Sequence, residues 1–219
     1  MRSQIVSGVF AFLVIGVSAC SLTSPQVRYF ELRPTLGSPE PGPKLPSILV
    51  PDFSCLAAYD HLRLVVRKSP VEVSGSRSLQ WTTVPGRMLA QGLRARLEST
   101  GRFETVRREA SPRPPYTVEG LVQVVELSEE KEPLARLAMH LNIRRSSDGT
   151  VIGEEFIDES RPYNGRDPAS GILAMRELYS KILDGASTQI ITVIERDVQD
   201  QTVRKQQKKP PVEDTADDH

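Results

Sequence analysis

The chain has 219 residues, with 28 Lys and Arg against 28 Asp and Glu, so its formal net charge is zero. This balance removes the general attraction for phosphate backbones that nucleic-acid-binding domains carry, and we expect no nucleic-acid partner. The length fits one domain, and 17 Pro and 14 Gly indicate long connectors. Two cysteines exclude a disulfide-rich scaffold. No Cys/His cluster has metal-ligand spacing, so we expect neither a metal nor a cofactor.

Residues 1–19 have the organisation of a secretory signal peptide. Arg2 is their only charge, and an apolar run follows from Ile5 to Val17. The run is well short of the roughly 20 residues that a membrane-crossing helix needs. It therefore predicts a signal peptide rather than a permanent anchor.

The end of this segment, Val17-Ser18-Ala19-Cys20, resembles the lipobox of bacterial lipoproteins. In that class the thiol is diacylated, typically with palmitate among the acyl chains, and the peptide is cut before the cysteine. The resemblance implies that Cys20 begins the mature chain and that residues 20–26 form a lipidated N-terminus and short tether. Several acyl chains give stable anchoring without a membrane-spanning segment. Ser21 replaces the aspartate that commonly retains such proteins in the inner membrane, which favours the periplasmic face of the outer membrane.

Residues 27–196 read as the folded domain, and its first part is extended. The stretches 27–32 and 47–53 predict strands on either side of a proline-rich connector. In residues 62–67, Leu62, Leu64 and Val66 alternate with Arg63, Val65 and Arg67. This alternation predicts a half-buried strand with the arginines on its wetter face.

A change of period from residue 83 predicts an amphipathic helix. Thr83 is in a cap position, Pro85 suits the first turn, and Gly101 lies just past the end. Leu89, Leu93 and Leu97 follow at spacings of four and predict the buried face. The exposed side is predicted to carry Arg87, Arg94, Arg96 and Glu98.

The second half of the domain predicts three successive strands and a closing helix. Residues 116–127 place Tyr116, Val118, Gly120, Val122 and Val124 on one face, and residues 134–145 place Ala135, Leu137, Met139, Leu141 and Ile143 on one face. Asp148-Gly149 supplies a hairpin turn into residues 151–160. From Asp167-Pro168 a helical stripe contains Ile172, Met175, Tyr179, Ile182, Ala186, Ile190 and Val193.

The predicted fold is α+β: a single two-layer domain, with a mostly antiparallel sheet and two amphipathic helices packed on it. Residues 197–219 have almost no apolar side chains, so they cannot offset the entropy of ordering and are predicted to be a disordered charged tail.

The order of these elements resembles the ABC-type transport auxiliary lipoprotein family, over about residues 20–196. The residues that carry the resemblance are Tyr29-Phe30-Glu31-Leu32, Leu56-Ala57-Ala58-Tyr59, Leu64-Val65-Val66-Arg67, Trp81 before the helix, and then Leu89, Leu93, Leu97 and Phe103. The family often has a proline where this chain has Ala58. The resemblance implies an accessory lipoprotein of an MCE-domain lipid transport system, with an MCE-domain protein and an ABC permease and ATPase as partners.

Four residues are candidates for partner binding. Trp81 suits a surface anchor, since indole combines a large apolar area with one donor, or it is a core residue beneath the first helix. Arg63, Arg67 and Arg87 suit an acidic partner or lipid phosphates, or they are solvated.

No convergent catalytic group emerges from the sequence. Cys55 has only His61 as a nearby base and is expected to be buried, and His140 lies alone in a strand. We therefore expect a non-catalytic accessory lipoprotein. The alternative is an envelope assembly or structural lipoprotein that works without a transporter, and a periplasmic hydrolase is disfavoured.

Overall fold

A 9-stranded mixed sheet with two helices on one face accounts for the part of the chain that the structure, a computed structural model, describes: residues 26–130, 132–164 and 167–207. The predicted signal peptide, Cys20 and most of the tether lie outside these ranges. The elements are β1 (Arg28–Phe30), β2 (Ile48–Leu49), β3 (Ser54–Cys55), β4 (Arg63–Ser69), β5 (Glu72–Trp81), α1 (Pro85–Thr100), β6 (Val106–Arg107), β7 (Tyr116–Ser128), β8 (Leu134–Arg145), β9 (Val151–Pro162) and α2 (Pro168–Gln207).

One edge of β7 is paired along its whole length. β8 runs antiparallel to it from Tyr116↔Arg145 to Ser128↔Leu134, and β9 runs antiparallel to β8. Gly149 takes a positive φ of 71° in the β8–β9 turn, a conformation that glycine adopts without steric cost. The predicted three-stranded meander is confirmed.

The other edge of β7 is paired in three pieces. β2, β3 and β4 each run parallel to β7, beside Tyr116, Leu121 and Glu126 respectively. The sheet continues outward from β4 through antiparallel β5 to parallel β1, and β6 pairs with β2.

Both helices cover the same face of the sheet. α2 lies against β8 and β9, and α1 lies against β7, β6 and β3 as well as against α2. The helices meet where Gly92 of α1 faces Tyr179 of α2, whose hydroxyl donates to the carbonyl of Leu89. The α+β, two-layer, mostly antiparallel fold is confirmed.

Two predicted strand faces need correction. Leu64, Val65 and Val66 are all buried, because β4 lies inside the sheet between β5 and β7 and is covered on both faces. In β7 the register shifts between Val122 and Val124. This bulge turns Val124 away from the helices.

The first helix begins one residue later than a Thr83 cap requires. Its N-cap is Val84, which makes no side-chain capping bond, with Pro85 in the first turn. Gly101 closes the helix with a φ of 66°, as predicted. Arg96 is not on the exposed side: it is buried and forms ion pairs with Glu40 and Asp184.

The closing helix follows the predicted stripe but runs further. Every predicted stripe residue is buried: Ile172, Met175, Tyr179, Ile182, Ala186, Ile190 and Val193. The helix continues to Gln207, so the predicted disorder is wrong for residues 197–207. Asp197 explains the extension, because its buried carboxylate pairs with Arg145 of β8 and accepts a hydrogen bond of 2.9 Å from Tyr116 of β7. Residues 208–219 of the predicted tail lie outside the described ranges.

Candidate partner-binding surface

Trp81 is a core residue. It ends β5 and is 1% exposed, and its indole Nε1 has no hydrogen-bond partner among the described residues. A side chain with so little accessible area cannot anchor a partner in this conformation. The structure therefore overturns the surface-anchor interpretation and supports the core interpretation.

Arg67 is committed to a buried carboxylate. It donates from Nε and Nη2 to Glu126 at 2.5 and 3.0 Å, and Tyr59 donates to the same carboxylate at 2.7 Å. The Glu126 side chain is only 1% exposed. Burial, and then the neighbouring Glu126 carboxylate, raises the pKa of Tyr59 to about 12. This cluster ties the loop before β4 to β7, and its arginine is not free to meet a partner.

Arg87 belongs to a different cluster, centred on Asp52. It lies 3.1 Å from Asp52, which also pairs with Arg108 at 2.7 Å and with Arg94 at 3.4 Å. The hydrogen bond from Arg108, followed by that from Arg87, holds the pKa of the Asp52 carboxyl below its ordinary value against the effect of burial. These contacts fix the β2–β3 connection to the start of α1.

Arg63 is exposed and forms no ion pair with any described residue. It lies on β4 beside Gly75 of β5. The three arginines therefore do not form one basic patch: Arg67 and Arg87 belong to separate clusters on different elements. Arg63, and Arg87 with a side chain that is 54% exposed, remain accessible to a partner.

The proline-rich connector is held by two further arginines that the sequence did not single out. Arg96 reaches Glu40, and Arg102 donates to the carbonyls of Pro41 and Pro43 at 3.1 and 3.2 Å. Arg102 also pairs with Glu195 of α2. The connector is thus fastened to the helices by side-chain bonds.

The sheet face opposite the helices carries the exposed surface that we name the open face: Ser54, Leu56, Leu121, His140 and Phe156. Leu121, His140 and Phe156 lie side by side across β7, β8 and β9. The rings of His140 and Phe156 stack, with centroids 4.0 Å apart and planes 8° from parallel. Phe156 is 72% exposed, and Leu56 is 47% exposed.

A shallow depression borders the open face. It has a volume of about 440 Å³ and is lined by Pro51, Asp52, Ser54, Glu119, Gly120, Leu121 and Asn142. It lies between β2 and β3, beside the residues of β7 that pair with neither of these two strands. An exposed aromatic beside a depression is the kind of surface that partners use, since aromatic side chains are enriched in binding hot spots.

Sequence reasoning missed Phe156, although one signal was available. Phe156 and Ile157 are adjacent in a strand, so one of the two must leave the covered face. Ile157 packs against the core and Phe156 points outward.

The residues weighed for catalysis do not converge. The Cys55 thiol lies against Gly86 of α1, and burial raises its pKa, which lowers its nucleophilic thiolate fraction. Among residues 26–130, 132–164 and 167–207, no group of three or more His, Cys, Asp or Glu side chains is placed to hold a metal ion. In the same ranges, none of the helices combines the length and apolarity needed to cross a bilayer.

Two solved structures share the fold of this chain. Protein XCC0632 from Xanthomonas campestris matches with a TM-score of 0.70 at 20% identity, covering 78% of this chain and 99% of that one. An uncharacterized protein matches with a TM-score of 0.61 at 11% identity, covering 76% and 99% of the two chains. At these identities the likeness is one of fold.

The sequence then gives the family. Residues 30–190 match the model of the ABC-type transport auxiliary lipoprotein component, so the chain belongs to that family. A comparison with curated proteins finds no match. The family resemblance is confirmed: the chain belongs to a family described as the auxiliary lipoprotein component of ABC-type transport.

Proposed function

We propose that the protein is a non-catalytic accessory lipoprotein of an MCE-domain intermembrane lipid transport system, tethered by acylated Cys20 on the periplasmic face of the outer membrane. Family membership over residues 30–190 carries the proposal. Its partners would be the MCE-domain protein and the ABC permease and ATPase. The lipobox-like sequence before Cys20 supports the tether, and Ser21 supports the outer membrane.

The arrangement of polar groups supports a binding role rather than catalysis. Arg67, Arg87, Arg96 and Arg102 each serve contacts between elements of the fold. Catalysis needs a nucleophile beside a base, paired carboxylates or a metal cage, and the candidates weighed above form none of these. The open face instead offers an exposed aromatic stack for contact with another protein.

The experiment is co-purification of the native lipoprotein with its envelope partners, identified by mass spectrometry. We expect the MCE-domain protein, permease and ATPase in the wild-type sample. Phe156→Asp should remove them, since it places a charge at the centre of the open face. Val203→Asp is the matched control, because Val203 is also exposed, at 51%, but lies on α2.

The outcomes separate the alternatives. Envelope assembly proteins in place of transport components would support the alternative function, an assembly or structural lipoprotein that works without a transporter. Equal recovery of transport components with Phe156→Asp and Val203→Asp would leave the function standing and overturn the open face as the docking site.

Acylation is tested independently. Mass spectrometry of the detergent-extracted mature protein should show an acylated N-terminus at Cys20, and Cys20→Ala should leave the precursor uncut before residue 20. An unmodified Cys20, or a start elsewhere, would contradict the tether.

A further inference from the structure

The β4–β5 hairpin ends in an apolar residue that nothing covers. Pro70 and Val71 form its turn, between the end of β4 and the start of β5 at Glu72. Val71 is 95% exposed, the largest value among the exposed large hydrophobic residues that the structure describes. Turn tips usually carry glycine, asparagine, aspartate or serine, whose conformations or polar groups suit the turn. The turn itself therefore does not require a β-branched apolar side chain at its tip.

The chain that precedes β1 heads toward this hairpin. β1 runs parallel to β5, with Arg28 beside Leu79 and Phe30 beside Trp81. Because β5 starts at the hairpin and runs away from it, the direction of the chain from Arg28 back to Gln26 is toward the hairpin tip. Arg28 also pairs at 3.2 Å with Asp167, at the start of α2. We call this part of the molecule the tethered end: the hairpin tip, the start of α2 and the outgoing N-terminus.

The tether is long enough to reach the level of the hairpin tip. Cys20 lies six residues before Gln26, and an extended chain of that length reaches at most about 20 Å. The register of β1 on β5, continued by two residues, brings Gln26 level with Arg77. Val71 lies six positions from Arg77 toward the hairpin tip, at most about 20 Å at the rise of a β-strand. The separation along the sheet is shorter than this, because β5 bulges between Gly75 and Gln80. The tether is therefore long enough to bring Cys20 level with Val71.

We propose that the tethered end rests on the bilayer surface, with Val71 in the headgroup region beside the lipid on Cys20. This inference rests on the proposed acylation of Cys20. A bilayer is the occupant that the geometry favours, since the anchored residue lies in that surface and the tether keeps Gln26 within about 20 Å of it. The β8–β9 turn, at the opposite end of the sheet, then faces away from the membrane.

The contact should be apolar rather than electrostatic. Three exposed cations around this end are already paired: Arg28 with Asp167, Lys68 with Glu129, and Arg161 with Glu177. Arg77 of β5 is exposed and forms no ion pair with a described residue, but Glu72 of the same strand is exposed as well. Little net positive charge is therefore left to attract anionic headgroups. We therefore expect the orientation to persist when phosphatidylglycerol is added to a phosphatidylcholine bilayer.

The test imposes the tether chemically, so that it does not depend on cellular acylation. The mature chain from residue 20, with Cys55→Ala, is coupled through Cys20 to a maleimide lipid in phosphatidylcholine nanodiscs that contain a nitroxide-headgroup lipid. Circular dichroism first checks that the variant is folded. Paramagnetic relaxation enhancement of the valine methyl groups is then measured. Val71 reports on the tethered end, and Val151, beside the β8–β9 turn and 36% exposed, is the native control at the opposite end.

We expect several-fold greater enhancement at Val71 than at Val151, with no loss when phosphatidylglycerol replaces part of the bilayer. In a second variant, Val71→Asp should reduce the enhancement at Val73. Equal enhancement at the two ends, enhancement at neither, or a larger effect at Val151 would overturn the proposal. Because coupling at Cys20 is imposed, these results leave the proposed acylation untouched, and mass spectrometry of the native protein decides it separately.

Discussion

The two edges of β7 are built in different ways. Along one edge β8 forms an antiparallel ladder over the whole length of β7, with a single bulge at Val122–Val124, and is joined to β7 by a short connection. Along the other, β2, β3 and β4 each contribute a short parallel pairing from distant parts of the chain. The first edge is held by backbone hydrogen bonds and a shared core. The second depends on side-chain bonds such as Arg67 to Glu126 and Arg94 to Asp52, because short strands leave loops that must be fastened individually.

The antiparallel side of the sheet should not fold when the packing of α2 on it is disrupted. On the face of α2 that packs on the sheet, Ile190 is fully buried and Ile182 is 6% exposed. An aspartate at either position buries an unpaired charge, a cost comparable to a domain's whole stability of about 5 to 15 kcal/mol. Ile190→Asp and Ile182→Asp should therefore misfold, as circular-dichroism melting would show. Gln189→Asp, on the exposed side of the same helix, is the control and should melt like the wild type.

The parallel edge should be sensitive at its ion pairs. Glu126→Ala leaves Arg67 without its partner and the Tyr59 hydroxyl unpaired, which should cost about 3 to 5 kcal/mol. Glu119, on the same strand, also pairs with an arginine, Arg144, but its side chain is 51% exposed. Glu119→Ala should cost at most about 1 kcal/mol. Urea denaturation of both variants measures the contrast, and equal losses would contradict the dependence of the parallel edge on its buried ion pair.

The last turns of α2 bind β7 and β8 through Asp197 and should contribute measurably to the free energy of unfolding. Deletion of residues 197–219 removes Asp197 and leaves the buried Tyr116 hydroxyl and Arg145 without that partner. We expect a loss of about 2 kcal/mol, or roughly 5 °C in melting temperature. Deletion of residues 208–219 alone should change the melting temperature little, as the sequence predicts for a polar tail. If both deletions melt alike, the Asp197 network is dispensable.

The contact between the two helices should give an effect comparable with that of the Asp197 network. A Cβ atom on Gly92 would lie 2.1 Å from the Tyr179 hydroxyl oxygen, whereas one on Gly185 would meet nothing within 4 Å. Gly92→Ala should destabilise by about 1 to 3 kcal/mol through overpacking. Gly185→Ala should stabilise by roughly 0.5 to 1 kcal/mol, because alanine is the better helix former. Stabilisation by both changes, seen in thermal melts, would show that the helices can separate without cost.

The same contrast between the edges explains what could be predicted from the sequence. Alternation in β8, the turn at Gly149 and the stripe through Ile182 and Ile190 are local patterns, and they predict the meander and the closing helix correctly. The bulge after Val122 leaves no such trace, and it redirects Val124. The parallel pairings join residues far apart in sequence, so no local pattern reports them.

Charged residues gave the least reliable predictions. Arg96 and Arg67 look like surface residues by type, yet both are fixed by partners contributed by other elements. Asp197 looks like the start of a disordered tail, yet Arg145 and Tyr116 offset the cost of its burial. Phe156 and Ile157 are adjacent in β9, and the sequence alone does not show which of the two side chains lies on the open face. Of the four partner-binding candidates selected from the sequence, Arg63 and Arg87 remain accessible at the surface.

Crowding on a membrane gives the outermost strand a further significance. Among the described residues, β9 pairs only with β8, so its other edge presents free amide and carbonyl groups to neighbouring molecules. That strand carries Glu154, Glu155, Asp158 and Glu159, of which Asp158 pairs with Arg136 and Glu159 with Lys181. Under the proposed tether, copies would collide often on one surface, and joining two such strands would bring the unpaired carboxylates close together, where they repel. The acidic strand would thus disfavour merging of the sheets of neighbouring copies.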